Sequence, residues 1–123
     1  MIRPPSLPVP AELPPGVGLP AGETPFAHLR RVVEELRPGW GERRPLILTH
    51  RTPDPDALGA MFGLERVLRA GLGLDPEVAA TGKISRAENV ALIRELGLSF
   101  LDAETLDRRR YAAVFLVDTQ PGF

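Results

Sequence analysis

The stretch Leu46-Ile-Leu-Thr-His50-Arg-Thr-Pro-Asp54-Pro-Asp56-Ala-Leu-Gly59-Ala-Met61 decides the fold. A short apolar run ends in a histidine, two aspartates follow closely, and an amphipathic pattern begins at once. That order reads as strand, ligand-rich loop, helix. Pro45 to Thr49 has the continuous apolar character of a strand buried on both faces of a parallel sheet. A second copy of its first half stands near the end: Ala113-Val-Phe-Leu-Val117, then Asp118. As parallel strands of one sheet, the two runs bring His50 and Asp118 to the same carboxyl edge. Open α/β sheets bind their ligands at that edge.

Working outward from the loop, Asp56 is placed to cap a helix from Ala57 to about Ala70, with Gly71 at its C′ position. Gly59 and Gly63 lie inside this helix, where glycine costs roughly 1 kcal/mol relative to alanine. A close approach by a backbone or a ligand is the expected reason. Glu77–Thr81 is a second strand, ended by Gly82. Ser85-Arg-Ala-Glu88 has the form of a capping box. It opens a helix carrying Val90, Ile93 and Leu96 that closes at Gly97. Leu98–Leu101 is a third strand, Asp102 caps a short turn through Leu106, and Ala112–Val117 is the last strand. Arg108-Arg-Arg110 reads as a solvated loop.

Upstream, Thr24 and Pro25 give a hydroxyl N-cap and a first-turn proline for a helix stopped at Pro38-Gly39. Phe26, Leu29, Val32, Val33 and Leu36 form its expected buried stripe. His28 reads as a surface or packing histidine. Residues 1–24 carry prolines at 4, 5, 8, 10, 14, 15 and 20, which exclude helix and central strand. They are expected to form a flexible tail with extended, partly polyproline-II character. Residues 25–123 are then one domain. The alternation predicts an α/β, Rossmann-like parallel sheet with right-handed crossovers and helices on both faces. The chain stops just after a core strand, so it reads as a truncated domain of a longer protein.

Composition narrows the class. The chain has 123 residues, 25% charged and 43% hydrophobic, with net charge −1. That balance gives no electrostatic footprint for duplex nucleic acid or an anionic membrane. There is no cysteine, which excludes disulfides, thiolate metal sites and cysteine nucleophiles together. No apolar run is long enough to cross a bilayer, and no export signal stands at the N-terminus. A cytoplasmic protein is expected, and a homodimer is compatible with everything above.

One histidine and three aspartates at one sheet edge make a hard, oxygen-rich metal site. One imidazole among carboxylates shifts preference from calcium toward manganese, cobalt or a similar ion. Asp54 and Asp56, at i and i+2 in the loop, are expected to serve different ions. Asp118 then bridges two ions about 3.5–4 Å apart that clamp a phosphoryl group. Two other readings stand beside this one. Asp56 has a sufficient structural role as a helix cap. The carboxylates also suit a single Mg²⁺, as in receiver-type signalling domains. Against that, His50 is a poor Mg²⁺ ligand and the one lysine of the chain is Lys83.

The segment Ile47-Leu-Thr-His50-Arg-Thr-Pro-Asp54-Pro-Asp56-Ala-Leu-Gly59-Ala60 resembles the first motif of the DHH phosphoesterase superfamily. That superfamily includes RecJ-like exonucleases, nanoRNase/phosphoadenosine-phosphate phosphatases, cyclic-dinucleotide phosphodiesterases and manganese-dependent pyrophosphatases. Leu116-Val-Asp118-Thr-Gln-Pro-Gly resembles the second motif, and Gly82-Lys-Ile-Ser-Arg86-Ala-Glu-Asn89 is similar to the segment between them in some bacterial members. The resemblance covers about residues 45–123. It implies that His50, Asp54 and Asp118 hold one Mn²⁺, while Asp56 and Asp118 hold the other, with Mg²⁺ or Co²⁺ as substitutes. It implies a bridging hydroxide as nucleophile, with no side-chain nucleophile.

The implied substrates are phosphodiesters or phosphomonoesters of nucleotides or short oligonucleotides. Arg51, Arg86 and Asn89 are candidate substrate contacts, against ordinary readings as a surface arginine and a solvated helix end. The eponymous Asp-His-His motif and the fourth motif's aspartate are absent from the chain. An incomplete site is therefore expected, inactive by itself. The alternative from a different class is a non-catalytic α/β module that binds a nucleotide or a metal for regulation.

Overall fold

The structure, a computed structural model, describes residues 21–82 and 87–119, apart from the side chain of Glu88. Most of the Pro-rich tail, the Ser and Arg of the expected capping box, and the last four residues lie outside the described residues. The chain divides into two compact units between Leu36 and Arg37. The sequence reading placed its own boundary after residue 24.

In the first unit, α1 spans Pro25–Leu36. Thr24 Oγ1 accepts from the Ala27 amide at 3.2 Å, the cap expected of it. Glu23 gathers His28 Nδ1 at 3.2 Å and Arg31 Nε at 3.1 Å, so His28 is tied to a surface carboxylate. The Arg31 guanidinium holds the Glu23 carboxyl below the usual carboxylate range. The expected buried stripe is corrected in part. Val33 is buried, but Phe26 and Leu36 are 45% and 55% exposed. A single helix cannot cover its own apolar stripe, and α1 is the one helix or strand of this unit among the described residues.

In the second unit, four strands form a wholly parallel sheet in the order β3-β2-β1-β4. The strands are β1 (Arg44–Leu48), β2 (Glu77–Ala80), β3 (Leu101–Asp102) and β4 (Tyr111–Leu116). Two helices connect the first three strands: α2 (Pro55–Leu72) and α3 (Ala87–Leu96). The fold is therefore α/β and Rossmann-like. β1 is central and its middle is buried. Pro45 sits there without a backbone N–H, and the ladder accommodates it by a register shift between Arg44 and Pro45. Helix α2 packs on β1 and β2 and also meets α3. Ile47, Leu58, Met61 and Leu68 are fully buried, at roughly 1.5–3 kcal/mol of burial free energy each. A different cover serves Leu46, Ala79 and Tyr111. Two 3₁₀ turns, Ala103–Thr105 and Arg108–Arg110, connect β3 to β4 and bring Ala103 and Leu106 against that cluster.

Several local expectations change. Asp54, not Asp56, caps α2: its Oδ1 accepts the Ala57 amide at 2.8 Å. Pro55 has its φ fixed for the first helical turn, so the helix starts earlier than the apolar pattern suggests. The helix also runs past Gly71 and ends at Gly73, which adopts φ 63°. There the Gly73 amide reaches Arg69 O and the Leu74 amide reaches Leu68 O, a Schellman closure. A Cβ at Gly59 or Gly63 meets nothing within 4 Å, so no close approach explains these glycines among the described residues. The third strand is Leu101–Asp102 and shares only Leu101 with the expected Leu98–Leu101, while Asp102 caps its turn as expected through Glu104 N. Arg108–Arg110 is exposed, as a solvated segment, but in 3₁₀ form.

Candidate metal centre

The register of β1 and β4 sets the site. Leu48 pairs with Leu116, and the Val117 amide extends the ladder to Leu48 O at 2.9 Å. His50 and Asp118 each lie two residues beyond that pair. The chain passes from β1 to β2 and β3 on one side, then returns to β4 on the other. The two residues therefore emerge at the point where the strand order reverses, the place at which such sheets bind ligands. His50 Nε2 stands 3.5 Å from Asp118 Oδ2. Asp118 adopts φ 54°, a left-handed conformation that aspartate tolerates better than most residues.

The imidazole is oriented by its own backbone. His50 Nδ1 lies 3.0 Å from Arg51 O. A carbonyl only accepts, so Nδ1 carries the hydrogen and Nε2 is the atom presented to Asp118. Asp54 arrives from the third side. Its Oδ1 accepts the cap bond from the Ala57 amide. His50, Asp54 and Asp118 each offer one ligand atom, all within 4.8 Å of one another. One imidazole and two carboxylates so arranged could hold a single divalent ion. The Nδ1–carbonyl bond is the outer support that ligating histidines ordinarily have.

The loop that carries Asp54 is held from several directions. Thr52 adopts φ 51°, a genuine outlier for a β-branched residue. Its amide donates to Thr81 O at 2.8 Å and its hydroxyl to Arg51 O at 2.7 Å. Gly82, at φ 85°, seats this turn: a Cβ there would lie 2.7 Å from Thr52 Cγ2. Pro53 is fully buried. Asn89, in the first turn of α3 and 2% exposed, donates from Nδ2 to Pro53 O at 3.1 Å.

The structure thus brings together His50, Asp54 and Asp118 and leaves Asp56 outside, exposed in the first turn of α2. The expected share of Asp56 in the group does not arise: Asp54 is the N-cap, while Pro55 and Asp56 already belong to the helix. Arg51 is exposed, with a loose 3.5 Å contact to Glu104. It lines a cleft of about 430 Å³ together with Ala80, Gly82, Phe100, Asp102 and Glu104. Asn89 binds the loop backbone and is buried, which does not fit direct contact with substrate. Arg86 lies outside the described residues. Sequence reasoning missed Thr52 and the seating role of Gly82. A glycine directly after a strand was the available signal for the second. Nothing in the sequence marks Thr52 as left-handed.

No family model matches the chain, and no solved structure matches it. Among curated proteins, it is similar to the uncharacterized protein MJ1633 of Methanocaldococcus jannaschii, with 39% identity over 74 residues. The match covers 60% of this chain and 15% of that protein. The chain thus corresponds to a small part of its relative.

Proposed function

We propose that the second unit carries part of the metal centre of a DHH-type phosphoesterase, which hydrolyses phosphate esters of nucleotides or short oligonucleotides with Mn²⁺. The observation that carries this reading is the convergence of His50, Asp54 and Asp118 at the sheet's reversal point, with the histidine already oriented by Arg51 O. The motif resemblance around His50 and Asp118 supplies the reaction class. A cytoplasmic setting belongs to the same reading. No helix among the described residues is long and apolar enough to cross a membrane.

In this reading His50 Nε2 and one oxygen each of Asp54 and Asp118 hold the ion. When bound, the ion supplies Lewis acidity for polarising a phosphoryl oxygen and activating water. The remaining work falls to the chain. Asp54 is held by its cap bond and the buried loop, so its carboxylate has little rotamer freedom to lose on binding. Arg51, whose one polar side-chain contact among the described residues is the loose one with Glu104, can turn toward a phosphoryl oxygen in the cleft it lines. Asp56 remains the candidate for a second ion, in the exposed first turn of α2.

A second reading is a metal- or nucleotide-binding module without hydrolysis. It is favoured by the grouping of only three ligand residues among the described residues. The reading frame beyond Phe123 separates the two. An extended polypeptide carrying an Asp-His-His motif should release p-nitrophenol from bis(p-nitrophenyl) phosphate or p-nitrophenyl phosphate only with Mn²⁺, and lose that activity with His50→Ala. An extended polypeptide with no Mn²⁺-dependent hydrolysis contradicts the enzyme and leaves the binding module.

A further inference from the structure

We propose that Asn89 is a positioning residue that sets the affinity of the metal centre through the backbone of Asp54. The inference rests on the metal reading above. Asn89 stands on α3, well away in sequence from the ligand loop, yet its Nδ2–H group reaches Pro53 O at 3.1 Å. Because Pro53 O only accepts, the amide orientation is fixed by chemistry. Pro53 O belongs to the peptide that joins Pro53 to Asp54. Holding that oxygen fixes the plane from which the Asp54 backbone departs, at φ −85° and ψ 175°.

The neighbouring prolines make this one contact decisive. Pro53 and Pro55 have locked φ angles, and the Pro53 side chain is fully buried. The Thr52 amide is tied to Thr81 O on the upstream side. The freedom left to this part of the loop is chiefly rotation of the peptide planes beside Asp54, and Asn89 removes it at the Pro53–Asp54 peptide. A packing role alone is met better by an apolar side chain such as leucine, which has the same branching. Instead the site keeps an amide at 2% exposure whose Oδ1 has no partner among the described residues, an unfavourable state for a buried acceptor. The side chain is therefore explained by its donor and by what that donor holds.

The test is calorimetric titration of Mn²⁺ into the whole chain and into Asn89→Asp and Asn89→Ser, with circular dichroism confirming that each is folded at the titration temperature. Asn89→Asp keeps the shape and replaces the donor with an acceptor. Asn89→Ser is uncharged and too short to reach Pro53 O, and it decides the matter if the aspartate variant does not fold. The expected result is a Kd for Mn²⁺ weakened about 10- to 100-fold in the folded variants, the range typical of outer-shell supports. A purely structural asparagine lowers the thermal midpoint and leaves the Kd of the folded protein unchanged. Variant affinities within twofold of wild type overturn the inference alone. A folded wild-type chain that binds no Mn²⁺ overturns the metal reading and this inference with it.

Discussion

At the scale of single residues, Asp54 does two jobs. Its Oδ1 caps α2, and the carboxylate offers a ligand atom beside His50 and Asp118. The roles separate by substitution. Asparagine caps a helix about as well as aspartate, whereas alanine loses the cap at a cost of about 0.5–2 kcal/mol. Asp54→Asn should therefore keep the urea midpoint, followed by fluorescence of the buried Trp40, and still weaken Mn²⁺ binding by tenfold or more. Asp54→Ala should lose both. Equal Mn²⁺ affinity in Asp54→Asn and wild type would mean that the carboxylate is only a cap. The sequence showed the residue types of this site plainly, because His50 and Asp118 stand at the ends of apolar runs and Asp54 lies in the loop that follows the first. It could not assign the cap. Asp54 and Asp56 both suit an N-terminus on propensity, and only the fixed φ of Pro55 decides where the helix begins.

At the scale of elements, the starts of β1, β2 and β4 are tied together at the amino edge of the sheet through one carboxylate. Tyr111 Oη, Arg44 and Arg110 all converge on Glu77. Burial, reinforced by the Glu77 charge, pushes the Tyr111 phenol above its ordinary value of 10.0. The native state thus keeps this proton where the unfolded chain has lost it. The associated stability is full below pH 10 and falls as pH rises through the native value. Wild-type protein should lose stability above pH 10 more steeply than Tyr111→Phe in urea unfolding at matched pH. Parallel slopes would remove Tyr111 as the cause. The strands and helices were legible because their apolar periods are long and punctuated by glycine and proline. The connection from β3 to β4 was legible in part: the turn capped by Asp102 was expected, whereas the 3₁₀ turn capped by Asp107 was read as loop, because a local cap leaves no periodic trace.

At the scale of the whole molecule, the parallel sheet explains why residues distant in sequence share one edge. β1 and β4 run side by side in matched register, so a histidine after one and an aspartate after the other must meet. The ligands all lie in the second unit, and the described residues gather one group of three. The most direct test of that claim is calorimetric titration of Mn²⁺ into the whole chain beside the double variant His50→Ala, Asp54→Ala. The account predicts close to one ion per chain for wild type and no binding by the folded variant. Uptake that survives in the variant, or a folded wild-type chain that takes up no Mn²⁺, would contradict it.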